Sequence, residues 1–331
     1  MKFTAAVFAI CLAVLPFYSY SQCCSGGAGS PIAGGTSQGV LNEKQFELNT
    51  NLQIVNSNQF YSGDKKSSDK YFDEFGSAYQ YFRVAYGVTP KFTFSVETGN
   101  FFFKKETGLN GDSERTYKSS GISDLIIFPR YQIFKRCTDK TNNEITVGLG
   151  FKIPLGSYND STARIEPFSG DTYYVTNPQA VQLTTGAQDM IFYGFYVRAY
   201  PKHNLRFFSN MLYIKKGWNP LGEKTGDFMS LGLFASKSFA NHYGLTLQLR
   251  AEKIGKTKVN KDILMYSFLN YDPEATGYRK IFISPQFMYT WRNLAVYALL
   301  DYPVYQYLNK IQVGSKWQAT AGLSYKFKLS R

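Results

Sequence analysis

An unbroken two-residue alternation in the middle of the chain limits the fold more than any other feature of the sequence. In residues 145–155, every odd-numbered residue is apolar and the residues between them are Thr, Gly, Lys or Pro. Segments 245–252 and 316–329 alternate in the same way. A helix would scatter these apolar residues around its circumference, whereas a β-strand places them on one face. The pattern therefore predicts long strands with one apolar face.

Weaker alternations raise the predicted number of strands to about twelve. They begin near Phe46, Tyr79, Phe92, Leu125, Met190, Leu205, Phe228, Tyr278 and Leu294. The chain carries no clear helical stripe of apolar residues, which would recur every three or four positions. The sequence therefore predicts an all-β protein.

The lengths of the connections alternate as regularly as the strands. Short links are expected at 89–90, 136–143, 201–204, 240–243 and 291–293, and long links at 56–76, 104–120, 156–185, 215–226, 255–277 and 303–314. A soluble sandwich has no reason to sort its loops by length, whereas a transmembrane β-barrel has short periplasmic turns and long extracellular loops. An even strand count then leaves both termini in the periplasm.

Energetics favours the same architecture. Aromatic residues make up 17% of the 331 residues and charged residues 18%, which excludes a disordered polyelectrolyte. No apolar run of 18 residues follows residue 21, and only helices or closed barrels satisfy the backbone in hydrocarbon. We therefore predict a single transmembrane antiparallel up-and-down β-barrel over residues 43–331, in contact with outer-membrane lipid and lipopolysaccharide.

The barrel interior is predicted from the same parity. If the apolar face meets lipid, the other face lines the lumen, and the reverse would place cations in lipid at about 2 to 4 kcal/mol each. The predicted lumenal cations are Arg83, Arg130, Lys152, Arg198 and Arg250, with Lys316 nearer the outer rim, and the predicted lumenal acids are Glu47, Glu97, Asp124, Glu252 and Asp301. Two interpretations stay open: an internal ion-pair network that stiffens the barrel, or a charged constriction that favours anions.

The first residues are predicted to direct secretion. Lys2 precedes an apolar run that ends at Phe17, and small residues follow at Ser19 and Ser21, which predicts a signal peptide over residues 1–21. The run is short for a membrane anchor, and the residues before Cys23 fit poorly with lipid attachment. Residues 22–42, rich in Gly and Ser, are predicted to form either a flexible periplasmic leader or a plug inside the lumen.

Three cysteines remain after cleavage. Cys23 and Cys24 precede the barrel, and Cys137 falls in a predicted short turn on the same side of the membrane. We therefore expect one of the vicinal pair to form a disulfide with Cys137. A Cys23–Cys24 bond or a site for a soft metal is the competing interpretation.

Two sets of motifs carry a resemblance to known proteins. Residues 320–327, Thr-Ala-Gly-Leu-Ser-Tyr-Lys-Phe, resemble the signal by which the barrel assembly machinery recognises bacterial outer-membrane barrels. Segments 121–125, 130–131, 152–158 and 185–189 resemble features of a Gram-negative outer-membrane transporter family. That family is loosely related to phenol-degradation-pathway and long-chain fatty-acid channel proteins. The resemblance implies a channel for small solutes, hydrophobic ones included, and it implies no particular binding residues.

Motifs for catalysis and cofactor binding are weak. His203 and His242 lie in predicted short turns without a nucleophilic Ser beside them, and two histidines with scattered cysteines do not form a zinc pattern. The Gly148-Leu149-Gly150 segment lacks the continuation of a nucleotide-binding loop. We therefore expect neither an enzyme nor a bound cofactor.

The net charge of +13 is spread through the predicted loops, which fits contact with acidic lipopolysaccharide better than with nucleic acid. The sequence thus favours a porin-like channel for passive passage of a small solute. A structural or adhesion barrel without transport is the alternative, and a barrel lipid hydrolase is less favoured.

Overall fold

The structure is a computed structural model that describes residues 39–240, 242–260 and 272–328. Twelve long antiparallel strands dominate these residues, as predicted. They are β1 (Gln45–Ser57), β2 (Glu74–Thr89), β3 (Phe92–Thr107), β4 (Asp124–Cys137), β5 (Asn142–Pro154), β6 (Asp189–Tyr200), β7 (Leu205–Lys215), β8 (Phe228–Phe239), β9 (Tyr243–Ile254), β10 (Tyr278–Trp291), β11 (Leu294–Val313) and β12 (Trp317–Lys328). The predicted signal peptide (1–21), Cys23 and Cys24 lie outside the described residues, so those predictions remain untested.

The twelve strands form a closed ring. Each strand pairs with the next one along the chain, and β12 pairs with β1 from Gln45↔Lys328 to Asn56↔Trp317. Closure removes the unpaired strand edges that would otherwise leave backbone groups exposed. The all-β, twelve-strand, up-and-down barrel predicted from the alternation is confirmed.

Five short turns lie together at one end of the barrel, which we call the short-turn end. Five links, residues 90–91, 138–141, 201–204, 240–242 and 292–293, lie there. The opposite, long-loop end carries residues 58–73, 108–123, 155–188, 216–227, 255–260 and 272–277, together with the three-residue link 314–316.

The links contain short strands and 3-10 turns. The short strands are Phe60–Gly63, Lys65–Ser67, Tyr117–Ile122, Ser161–Ile165, Thr172–Thr176, Glu223–Lys224 and Lys258–Val259, and the 3-10 turns are Leu109–Gly111, Ser113–Arg115, Pro201–His203 and Pro273–Ala275. Within the described ranges, no helix is both long and apolar enough to cross a membrane.

The last long link differs from the prediction. Residues 303–314 were expected to form a loop, but β11 continues to Val313 and only residues 314–316 connect it to β12. The extension is a strand because both of its edges find partners: Pro303 to Leu308 pair with β10, and Leu308 to Val313 pair with Phe60–Gly63. The prediction of a loop is therefore wrong for this segment.

The hairpin strand Phe60–Gly63 passes beyond the end of β12 to reach β11. Gly314 donates its N–H to Gln59 O at 2.8 Å, and Ser57 Oγ donates to Gly314 O at 2.5 Å. We call this joint between residues 57–63 and 308–316 the clasp. It fastens the first link of the chain across the seam at which the barrel closes.

The two faces of the ring differ in composition. Leucine, phenylalanine and valine side chains on the outer face are exposed, as at Val84 and Leu249, and form an apolar band. Side chains on the inner face are buried, as at Arg83 and Phe128. An apolar outside and a mixed inside are the expected arrangement for a barrel that is surrounded by lipid.

Candidate functional site

The inner face of β1, β2 and β12 carries a buried charge cluster nearer the short-turn end. Arg83 Nη2 lies 3.2 Å from Glu47 Oε2, and the two side chains are 1% and 0% exposed. Lys326 Nζ lies 3.9 Å from the other oxygen of Glu47, which also accepts a hydrogen bond from Ser324 Oγ at 2.9 Å. Because buried charges are costly unless paired, this arrangement stabilises Glu47 as a carboxylate between two cations.

Neighbouring β3 and β4 extend this cluster. Glu97 accepts hydrogen bonds from Tyr81 Oη at 2.8 Å and from Ser95 Oγ at 3.3 Å. Arg130 is buried on β4 with its guanidinium 5.6 Å from the Phe128 ring centroid. Arg130 and Glu97 also interact electrostatically. Charges of both signs therefore alternate around this part of the lumen.

A second charge cluster lies at the long-loop end. Lys152 Nζ is 3.0 Å from Asp124 Oδ2 and 2.8 Å from Asp189 Oδ2, and Lys216 Nζ is 2.9 Å from the same Asp189 oxygen. Lys104 Nζ donates to Gln182 O at 2.6 Å. Lys104 thereby ties the 155–188 link to the barrel mouth, where Val181 and Leu183 are buried.

A third cluster lies on β9, β10 and β11. Arg250 Nε is 2.9 Å from Glu252 Oε1, and Arg250 Nη2 is 3.5 Å from Asp301 Oδ1. Ser284 Oγ donates to the same Asp301 oxygen. The Arg250 guanidinium also lies 4.9 Å from the Phe282 ring centroid. These contacts hold the guanidinium against the wall.

A large apolar cluster occupies another part of the inner face. Strands β6, β7 and β8 present a continuous cluster that also includes two residues of β4. Its members are Ile126, Phe128, Ile191, Tyr193, Phe195, Val197, Phe208, Leu212, Ile214, Phe228 and Phe234. Ile214 and Phe228 lie near the long loops and Val197 near the short turns, so the cluster runs along the height of the barrel. We call this surface the apolar wall, and the inner faces of β1–β3 and β9–β12 the charged wall.

Glycines allow large rings to lie close to the barrel wall. A Cβ atom on Gly150 would come within 2.9 Å of Phe128 and 3.2 Å of Ile191 Cβ, and one on Gly148 would also meet Phe128 at 2.9 Å. The Phe128 ring therefore occupies space that side chains on β5 would fill. The Gly148-Leu149-Gly150 segment has a packing role here, because its glycines keep that ring out of the lumen centre.

Residues 39–42 lie against the inner face of the barrel at the short-turn end. The Leu41 N–H donates to Thr93 Oγ1 at 2.7 Å in a buried position on β3. Two to three strands further round the ring, a Cβ atom on Gly39 would lie 2.6 Å from Glu144 Oε1 and 3.6 Å from the Phe195 ring. This segment, which we call the strap, thus runs from β2 and β3 to the apolar wall. Residues 22–38 of the predicted leader or plug lie outside the described residues.

Arg198 was predicted to line the lumen, and this prediction is wrong. In β6, the buried residues are Ile191, Tyr193, Phe195 and Val197, whereas Arg198 is exposed on the opposite, outer face. The parity argument failed because β6 is apolar on both faces, so its apolar residues did not identify the lipid side. Arg198 lies near the strand end, with its guanidinium 5.4 Å from the Tyr200 ring centroid.

The other predicted lumenal residues lie on the inner face, and the structure adds several that the sequence analysis missed. These are Lys104, Glu144, Asp189, Lys216, Lys280 and Lys326. Parity within an assigned strand would have found Lys326, which alternates with Tyr325 and Phe327. Lys216 lies beyond the end of β7, and its pairing with Asp189 depends on how the two neighbouring links fold.

The remaining predicted residues lie at the ends of the barrel. Lys316 lies in the 314–316 link, with Nζ 3.5 Å from Asn58 Oδ1. His203 is exposed in a short turn, and His242 Nδ1 lies 3.0 Å from Thr290 O in another. Cys137 is exposed at the end of β4. Within the described ranges, no group of three or more His, Cys, Asp or Glu is placed to hold a metal ion.

Comparison with solved structures identifies the same fold in an outer membrane channel from Pseudomonas putida F1. The two structures align with a TM-score of 0.63 and 11% sequence identity, over 87% of this chain and 97% of the channel. The resemblance to outer-membrane channels that the motifs suggested is therefore confirmed at the level of the fold.

Two other barrels align less well. The β domain of the Bordetella autotransporter BrkA gives a TM-score of 0.46 with 9% identity, over 86% of this chain and 100% of that domain. A Pseudomonas aeruginosa FadL homologue gives 0.42 with 10% identity, over 87% and 91% of the two chains. No family model and no curated protein sequence matches the chain.

Proposed function

We propose that this protein is an outer-membrane channel for passive passage of small amphipathic solutes. The observation that carries the proposal is the division of the lumen into an apolar wall along its height and a charged wall opposite. A solute with an apolar ring and a polar group finds a matching surface on both sides. Sites for small molecules commonly combine an apolar lining with a few polar groups.

Two amides on the charged wall support this proposal. Gln248 and Gln286 lie on neighbouring strands of the inner face and are buried. Gln248 Nε2 and both amide atoms of Gln286 have no hydrogen-bond partner among the residues that the structure describes. Buried polar atoms are normally paired, so these amides are free to bond to a solute in transit.

The ions of the charged wall are proposed to act chiefly as an ion-pair network. Arg83 and Arg250 each lie within hydrogen-bonding distance of a carboxylate, as does Lys152 in the cluster at the long-loop end. Paired charges give a weaker anion preference than a ring of unpaired cations. We therefore expect reversal potentials across a salt gradient to show weak selectivity. Arg250→Gln should lower the stability of the barrel and leave those reversal potentials nearly unchanged.

Uptake into proteoliposomes tests passage directly. We expect a small carboxylated or hydroxylated aromatic solute to enter faster than a sugar of similar mass, because only the aromatic solute contacts the apolar wall. Replacing Phe195 with Ser should reduce this difference, while replacing the outward-facing Phe192 with Ser should preserve it. A folded barrel that admits no solute and conducts no ions, even with residues 22–42 deleted, would contradict the channel.

The proposed location places the short turns in the periplasm, together with both termini. Epitope tags at Asp64, Asp112, Asp160 or Glu223 should then be accessible on intact cells, whereas a tag near Cys137 should not. Reversed accessibility would overturn this orientation.

Peptide mapping without reduction would test the proposed Cys137 disulfide in the same preparations.

An adhesion barrel is the second candidate, favoured by the hairpin Ser161–Ile165 and Thr172–Thr176. At its tip Phe168 is 99% exposed, and Ile165 and Tyr174 are also exposed. The Ser169 N–H donates to Glu166 and lowers the pKa of that carboxyl, so the turn carries a negative charge. If adhesion is the function, Phe168→Ser with Tyr174→Ser should reduce cell attachment, and solute uptake should be absent from the wild type.

A further inference from the structure

A groove of about 620 Å³ lies in the outer surface of the barrel, away from the lumen. Its lining includes three small residues, Ala235, Ala298 and Ala319, together with Leu247, Pro285 and Phe287. Ala235, Leu247 and Pro285 stand side by side on β8, β9 and β10, as the strand register shows. The volume falls within the range of about 300 to 1,000 Å³ that is typical of small-molecule sites.

The groove exists because small residues interrupt the apolar band. Leu247 and Phe287 are about half exposed on the outer face, and the alanines between such residues leave a depression. Pro285 lacks an N–H, and no pairing joins it to β11 within the described ladder, which runs from Ile283↔Tyr302 to Gln286↔Leu299. In a membrane, such a depression loses dispersion contacts unless a flexible apolar chain fills it.

A single cation lies at one end of the groove. Lys237 is exposed on the outer face of β8, two residues from Ala235 toward the short turns, with Nζ 5.5 Å from the Phe239 ring centroid. Beyond it, Tyr243 and Tyr289 form an aromatic pair with ring centroids 5.3 Å apart. Aromatic belts mark the level of lipid headgroups, and lysines near that level extend toward them.

We infer that this groove binds one glycerophospholipid, with an acyl chain over the alanines and the phosphate beside Lys237. Charge complementarity selects this occupant. The groove lining contains Lys237 and no carboxylate among the residues that the structure describes, so the complementary ligand is an anion with an apolar tail. A second copy of the chain would instead place its own apolar band or its own Lys237 against this cation.

This inference requires membrane insertion but does not depend on solute passage. If the short turns face the periplasm, the groove opens toward the inner leaflet, where an ordinary phospholipid is available. A barrel without transport would bind the same lipid. Failure of the uptake experiment and failure of the lipid experiment therefore have separate meanings.

Native mass spectrometry of the purified folded barrel, after delipidation and addition of phosphatidylglycerol, tests the site. We expect one lipid retained per wild-type barrel. Lys237→Gln should weaken binding about tenfold, as expected for the loss of one charge-assisted contact. Diacylglycerol, which has the chains without the phosphate, should bind equally weakly to the wild type and to Lys237→Gln.

Matched variants separate the groove from general lipid adhesion. Ala298→Leu fills the groove and should abolish retention, whereas Gly194→Leu adds a leucine to the outer face where no atom lies within 4 Å of the new Cβ and should retain the lipid. Arg198→Gln removes another outward cation stacked on a ring and should also retain it. Heat-modifiable gel migration confirms that each variant is folded.

Two results would overturn the inference. One is equal retention in wild type, Lys237→Gln and Ala298→Leu. The other is a wild-type dimer that Ala298→Leu dissociates, because a second copy would then occupy the groove.

Discussion

The two walls of the lumen are held in place by different physical means. On the charged wall, single contacts such as Arg83 with Glu47 have defined geometry and leave a buried ion behind if one partner is removed. On the apolar wall, the rings of Phe208 and Phe234 stack with centroids 4.4 Å apart, within a cluster whose members contact each other without direction. The charged wall should therefore tolerate paired changes, and the apolar wall should tolerate changes that conserve volume.

Removing one ion of the charged wall should produce the largest loss of stability. We expect Arg83→Met to lower the free energy of unfolding by about 3 to 5 kcal/mol, because Glu47 then stays buried without the cation that lies nearest to it. Denaturant titration of barrels in lipid vesicles, followed by tryptophan fluorescence, measures the change. The double variant Glu47→Gln with Arg83→Gln should recover about half of the loss. An equal loss in the single and double variants would show that the pairing has little role.

Truncating a ring on the apolar wall should destabilise the barrel less, and a bound ligand should restore part of the lost stability. Phe208→Ala removes the stack on Phe234 and should destabilise the barrel by about 3 kcal/mol through the cavity it leaves. Because apolar cavities bind small aromatic molecules, added toluene should restore part of this stability, which it cannot do for Arg83→Met. Phe207→Ala on the outer face is the matched control and should show no rescue. Rescue of both variants would mean that toluene acts through the membrane.

Filling space beneath Phe128 should have a smaller effect. Gly150→Ala places a Cβ atom 2.9 Å from the Phe128 ring and 3.2 Å from Ile191 Cβ, so we expect destabilisation of about 1 to 3 kcal/mol. Gly194→Ala on the neighbouring strand meets no atom within 4 Å and should be neutral or slightly stabilising. The same titration compares them. If the two variants lose equal stability, the absence of a side chain at Gly150 does not constrain the Phe128 ring.

The smallest effect is expected at the residue whose side was predicted wrongly. Arg198→Leu should change the free energy of unfolding by no more than about 0.5 kcal/mol, because Arg198 is exposed outside the barrel near a strand end. Arg250→Leu, at a buried paired cation, is the comparison and should lose several times more. A large loss of stability in Arg198→Leu would indicate that Arg198 faces the lumen.

The sequence predicts the ring of strands well and the composition of its interior less well. Alternation is a local signal, so β5, β9 and β12 are evident from residue order alone. The assignment of sides assumes that one face is polar, and this fails in β6, where Tyr193 and Phe195 point inward while Phe192 and Tyr196 point outward. The extension of β11 was also missed, since a strand past Pro303 forms only when Phe60–Gly63 supplies the second edge.

The clasp also bears on how the ring forms and how long it lasts. Ser57 and Gly314 are 257 residues apart along the chain, so their hydrogen bond is among the most non-local contacts in the fold. Phe60–Gly63 reaches β11 by continuing the edge that β12 occupies, and we therefore expect it to dock after β1 and β12 have met. Interactions made after the rate-limiting step slow unfolding and leave the folding rate nearly unchanged. With ring closure as the rate-limiting step, we expect the clasp to lengthen the lifetime of the closed ring and to leave the rate of closure unchanged.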